Sequence, residues 1–221
     1  MPSPAEISFL WRRAGFGISV AGAEARTSRT WTQLVDELVE PAAVPMARPA
    51  SFADPNASTF DREKDLTVSW LTHMATTPTP GAEKLAWFWH HHFACSIRKF
   101  VHPHLAFRQL AVLQANGQGP FRTLLGNVVL DSAMLLFLDN HLNTVGRTNE
   151  NLARELLEVF TLGTGAYTQS DVTGVARSLT GHTLVWEDPE LPARFDPALH
   201  DAGTKTVLGR TGAFDGPALL D

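Results

Sequence analysis

The sequence predicts a mainly α-helical protein, a bundle of eight or nine helices with a small β-hairpin near the C-terminal end. Apolar residues recur three and four positions apart in successive segments, which is the period of one face of an α-helix. N-cap residues, prolines and glycines bound these segments, and such residues mark where helices begin and end. Alternation typical of strands is found between residues 182 and 209, so we expect the β structure there.

Three helices are predicted in the first 76 residues. The first is short and ends at Gly15, the second runs from Thr32 to Val39, and the third runs from Asp61 to Ala75. Residues 41–60 contain four prolines and have little periodicity, so they are predicted to form a loop.

The fourth predicted helix is rich in tryptophan and histidine. Thr79 is a suitable N-cap for it, and Pro80 suits its first turn because a helix leaves the amide there unpaired. Helical spacing puts five large side chains on one face, which are Leu85, Phe88, Trp89, His92 and Phe93.

Five more helices and two short strands complete the prediction. The helices run from Pro103 to Ala115, from Pro120 through Val128, from Asp131 to Leu138, from Asn149 to Gly163, and from Thr168 to Gly181. The strands lie around Thr183–Val185 and Lys205–Leu208. The same periodicity predicts one core that contains Trp87, Trp89, Phe93, Leu125, Leu135, Leu156 and Phe160.

Length, charge and composition exclude several classes of protein. A chain of 221 residues is predicted to be one domain, and its net charge of −5 argues against nucleic-acid binding, which needs a basic face. There is no run of 18–20 apolar residues to span a membrane, and the N-terminus lacks the pattern of a secretory signal. The cytoplasm is therefore the default location. The single cysteine, Cys95, cannot form an intramolecular disulfide.

Several segments, taken together, resemble the bacterial family catalogued as domain of unknown function 1800. The resemblance rests on Arg12–Gly17, on the helix Glu83–Phe93, on Phe121–Leu125, on Ala133–Asn140, on the long stretch Asn149–Gly163, on Ala176–Gly181, and on His200-Asp201. The sequence departs from the family pattern at His91, where the family usually has asparagine, and at His182, where it usually has tryptophan.

Members of that family are about twice this long, so the resemblance implies that the chain is an N-terminal half. The segment after Gly212 begins a helix-start pattern and then stops, which agrees with that expectation. We therefore expect an exposed apolar patch where a missing C-terminal half of the same protein would pack.

The predicted helix from Asn149 to Gly163 carries the first candidate site. Asn151, Glu155 and Glu158 are four and three residues apart and therefore share one face, next to an apolar stripe of Leu152, Leu156 and Val159. Two carboxylates removed from water must share a proton, pair with a cation or bind a metal. The alternative is an ordinary ion-pair ladder, since Arg154 is four residues from both Glu150 and Glu158.

The histidine triplet His90-His91-His92 supplies the second candidate. Successive helical residues point about 100° apart, so the three imidazoles cannot share one metal. His92 lies on the apolar face and is the one we expect to be buried, either as a ligand or general base or as a structural histidine bonded to a carbonyl or carboxylate. His200-Asp201 is a weaker candidate, because such residues in loops usually form turns and caps.

Two hypotheses about function follow from these residues. In the first, the protein is a metal-capable enzyme in which His92, Glu155 and Glu158 are catalytic residues and ligands of a divalent metal such as Zn, Mn or Fe. In the second, it is a non-catalytic scaffold or interaction module whose polar residues form a buried ion-pair network that fixes helix register.

Overall fold

Side-chain capping explains where the helices begin. The computed structural model describes residues 1–100 and 102–221. Ser3, Thr30, Ser58 and Thr168 each form a capping box, in which the cap side chain and the third helical residue bond each other's backbone amides. Asp131 begins another helix by accepting a hydrogen bond from the Ala133 amide.

The described residues contain twelve α-helices, more than the eight or nine predicted. In chain order, α1 to α6 are Pro4–Ala14, Val20–Glu24, Trp31–Val39, Thr59–Thr76, Pro80–His92 and Ile97–Phe100. Helices α7 to α12 are Pro103–Asn116, Phe121–Val129, Ser132–Phe137, Asn151–Glu155, Gln169–Ser178 and Gly216–Leu220. The mainly α prediction is confirmed. The count was too low because short helices such as α2 and α6 have too few residues to show a period.

The β structure consists of two antiparallel hairpins, where the sequence predicted one. Strand β1 (His182–Leu184) pairs with β2 (Ala193–Phe195), and β3 (Lys205–Val207) pairs with β4 (Arg210–Gly212). Leu208 and Gly209 join the second pair and both have positive φ, 49° and 79°, as a two-residue hairpin turn requires. The two predicted strands therefore each pair with a strand that the sequence pattern did not indicate.

The chain divides into two compact units. The first comprises Met1–His91 and Leu113–Gln118, and the second comprises His92–Val112 and Gly119–Asp221. One core cluster in the first unit is built by α1, α2 and α3, from Ile7, Trp11, Ala23, Leu34 and Leu38. In the second unit, Phe93, Leu125, Leu135, Leu156 and Phe160 are all buried, as predicted.

Helix α5 buries a different face from the one predicted. Ala82, Glu83 and Ala86 are its buried residues in the first unit, whereas Phe88 is 54% exposed, and Trp87 and Trp89 are only half-buried. The reason is a close helix contact: a Cβ on Gly81 would lie 1.9 Å from the carbonyl oxygen of Leu38 in α3. Small residues allow that approach, so the bulky aromatic residues occupy other faces of the helix.

Candidate functional site

The two predicted carboxylates lie in the second unit where an α-helix changes into a π-helix. Helix α10 ends at Glu155, and Leu156–Thr161 continues it as a π-helix. The amide of Leu162 donates to the carbonyl of Leu157, five residues earlier, at 2.9 Å. Wider turns of this kind are rare and are frequent at functional sites.

The π-helix changes which residues face the core. Leu157 and Phe160 are buried, whereas Val159, predicted to lie in the apolar stripe, is 51% exposed. Glu158 is exposed as well, and Glu155 is half-buried. The prediction assumed 3.6 residues per turn throughout, which a π-helix does not keep.

Glu158 is paired with the only tyrosine of the chain. The phenol of Tyr167 donates a hydrogen bond of 2.7 Å to Oε2 of Glu158. This hydrogen bond is the largest cause of a raised pKa of the Tyr167 phenol, and the charge of Glu155 raises it further. Tyr167 therefore lies within the electrostatic reach of both predicted carboxylates.

An exposed polar network lies beside this pair and contains one of the two ion pairs expected from the sequence. Arg154 donates to Glu150 at 2.8 Å and to Gln169 of α11 at 2.7 Å. Gln169 and Thr173 also donate to Glu150. These hydrogen bonds, with that of Gln169 the largest contributor, lower the pKa of the Glu150 carboxyl.

His92 is bonded to the backbone of the π-helix. Its Nε2 lies 3.1 Å from the carbonyl oxygen of Phe160, and because a carbonyl can only accept, Nε2 carries the hydrogen. The imidazole packs edge-on against the ring of Phe93 with centroids 4.7 Å apart, and it also contacts Phe121 and Phe160. This corresponds to the structural alternative considered for His92, a histidine bonded to a carbonyl.

Potential metal ligands do not converge in the described residues. Among residues 1–100 and 102–221, no group of three or more His, Cys, Asp or Glu side chains is placed to hold a metal ion. Burial raises the pKa of the Cys95 thiol to about 12, whereas a metal ligand must be a thiolate. The ligand and catalytic roles of His92, Glu155 and Glu158 therefore stay a prediction.

A second polar cluster, also in the second unit, surrounds the weaker sequence candidate His200-Asp201. Arg177 of α11 donates to both carboxylate oxygens of Asp201, at 2.7 and 3.2 Å, and this pairing lowers the pKa of Asp201 to about 2. Lys205 is 2% exposed, and its ammonium donates to the carbonyls of Asp201 and Phe214. The sequence could have indicated that Lys205 points inward, because Lys205 and Val207 are two residues apart in a strand and therefore lie on the same face.

His182 lies next to this cluster and is 7% exposed. Its Nε2 has no hydrogen-bond partner in the part of the chain that the structure describes, and it faces the backbone of Gly216. Burial, which disfavours the imidazolium, lowers the pKa of His182 to about 4. His182 is therefore neutral at pH 7. The sequence singled it out only as a departure from the family pattern.

Comparison with known proteins gives a family but no activity. The model of the family described as "Protein of unknown function (DUF1800)" matches residues 9–221. No curated protein and no solved structure matches the chain. Within the described residues, no helix is both long enough and apolar enough to cross a membrane.

Proposed function

The chain belongs to the DUF1800 family of proteins of unknown function, and we propose that it is a non-catalytic interaction module whose polar groups fix the positions of its helices. The observation that carries this proposal is a pair of hydrogen bonds that hold the π-helix Leu156–Thr161 in place. Nε2 of His92 is bonded to the Phe160 carbonyl, and Glu158 accepts the hydroxyl of Tyr167. Both bonds lie within the protein and link the π-helix Leu156–Thr161 to a residue outside it, which is a structural role.

The Asp201 cluster supports the same function. Its buried ammonium and its ion pair tie α11, the loop at residue 201 and β3 to one another. An ion pair with this many internal partners is expected to fix one arrangement of the chain, because other arrangements would leave a charge without a partner. A module that presents a surface to another molecule needs such a fixed arrangement, since preorganisation reduces the cost of binding.

The competing hypothesis is the metal-capable enzyme with His92, Glu155 and Glu158 as ligands. Both hypotheses are tested by titrating the metal-free protein with Zn²⁺, Mn²⁺ and Fe²⁺ in a calorimeter. We expect the parent and the double variant Glu155→Gln/Glu158→Gln to give the same weak heats. Glu24→Gln is the matched control, because Glu24 is exposed and lies in the first unit.

A stoichiometric metal site in the parent would overturn the proposal if the double variant lost it and the Glu24→Gln control kept it. In a site of that kind Nδ1 of His92 would be the ligand while Nε2 keeps its bond to the Phe160 carbonyl, so imidazole resonances that shift on metal addition would identify it. If parent, double variant and control behave alike, the interaction module is supported.

A further inference from the structure

The first unit has an apolar groove between α3 and α5, which we call the α3–α5 groove. It encloses about 520 Å³. Leu38 and Val39 of α3 form one wall, and Leu85, Trp87 and Phe88 of α5 form the other. The contact of Gly81 with Leu38 joins the two helices at the floor. The groove is therefore bounded by α3 and α5, which are in direct contact, and also by Arg13 and Ala14 of α1 and by Gln118.

The apolar residues of this groove are exposed although they are large. Val39 is 55% exposed and Phe88 is 54% exposed. Trp31 and Val35 continue the surface along α3 at spacings of four residues, and they are 47% and 41% exposed. Since eight residues of α-helix rise about 12 Å, this stripe has the length of two helical turns.

The charges around the groove have one sign. Arg13 and Lys84 line it, and no acidic residue does. The ammonium of Lys84 lies 4.5 Å from the centroid of the Trp87 ring and 4.9 Å from that of Phe16. Within the described residues, neither Arg13 nor Lys84 forms an ion pair with a carboxylate. In a protein with a net charge of −5, two such cations beside an apolar groove favour an acidic partner.

We propose that the α3–α5 groove binds an amphipathic helix of a protein partner, with its apolar face on Val39 and Phe88 and its carboxylates beside Arg13 and Lys84. This mode of recognition places apolar side chains three and four residues apart in a groove between helices. The open stripe from Trp31 to Val39 extends beyond the enclosed volume, which suits a helix better than a small molecule. This inference rests on the proposed function of an interaction module, and it specifies the partner as an acidic amphipathic helix.

The test uses the full chain and a fluorescein-labelled 16-residue peptide. The peptide has leucines on one helical face and glutamates on the flanks, and a second peptide has lysines in place of the glutamates. Fluorescence anisotropy is expected to show saturable binding of the acidic peptide and at least about tenfold weaker binding of the basic one, with the difference reduced at high salt.

Two variants test the surface itself. Phe88→Ser and Lys84→Glu are each expected to weaken binding of the acidic peptide by about tenfold or more, since truncation of a central aromatic or reversal of a charge has effects of this size. Leu71→Ser is the matched control, because Leu71 is 60% exposed on α4 of the same unit and does not line the groove. Circular dichroism of each variant checks that the fold is kept.

The inference is overturned if the acidic and basic peptides bind equally, or if Leu71→Ser weakens binding as much as Phe88→Ser. It is also overturned if sedimentation shows a dimer of this chain that Phe88→Ser dissociates, or if the protein binds phosphatidylglycerol vesicles and not the acidic peptide. If the peptide experiments fail while the metal titrations give the expected weak heats, only the proposal about the groove is rejected. A metal site at His92, Glu155 and Glu158 would instead reject the proposed function, whatever the groove binds.

Discussion

Asp131 begins helix α9 with a carboxyl group that is almost fully buried. Burial is the main reason why its pKa is raised from 3.8 to about 6, against the opposing effect of the bond from the Ala133 amide. The folded state therefore binds this proton more tightly than the unfolded chain does. The stability that this group contributes is present below pH 3.8 and is lost as the pH rises through about 6.

Asp131→Asn is expected to raise stability at pH 7, because asparagine is also a good N-cap and carries no charge to bury. The gain is at most about 3 kcal/mol and should vanish below pH 4. Urea denaturation at pH 4 and pH 7 measures it. Asp61→Asn is the control and is expected to lower stability at pH 7, because hydrogen bonds from Ser58 lower the pKa of Asp61 and so stabilise its charged form. Equal pH dependence of parent and Asp131→Asn would contradict the prediction.

At the scale of elements, the close packing of α11 against β3 depends on Gly174 of α11. A Cβ on Gly174 would lie 2.5 Å from the carbonyl oxygen of Thr206 and 2.9 Å from Val207, so the helix and the strand can approach this closely only because position 174 has no side chain. The sequence contained Gly174 inside a predicted helix, where glycine is unfavourable, but it gave no reason for its presence.

Gly174→Ala is expected to destabilise the protein by about 1–3 kcal/mol, because the backbone of β3 must move to admit the methyl group. Gly126→Ala in α8 is the matched control. A Cβ there meets no atom within 4 Å, so alanine should stabilise the helix by about 0.5–1 kcal/mol. Thermal unfolding of the two variants measures both effects, and a stabilised Gly174→Ala protein would show that the contact with β3 is looser than described.

At the scale of the whole molecule, helices dominate the described residues, and 56% of the structure is helical. The two hairpins contribute four strands of three residues each. The far-ultraviolet circular dichroism spectrum is therefore expected to have the double minimum of helical proteins, with a helical fraction near one half. A spectrum dominated by β structure would contradict both the sequence prediction and the described fold.

The sequence by itself determined where most helices begin, because capping is a local interaction between neighbouring residues. The helices predicted to begin at Asp131, Thr168 and Pro80 are α9, α11 and α5, and Asp131 and Thr168 are the N-caps of the first two. The family resemblance was equally a property of the sequence, and the family match over residues 9–221 confirms it.

Only the tertiary structure decided which face of each helix is buried. Phe88 has the periodicity of a core residue, yet the contact of Gly81 with Leu38 assigns the buried face of α5 to Ala82, Glu83 and Ala86. In the π-helix, likewise, Val159 lies at the surface, and the carbonyl of Phe160 accepts a hydrogen bond from His92. Side-chain spacing shows which residues share a face of a regular helix. Which of those faces is buried depends on the residues that pack against the helix, and these are distant in the sequence.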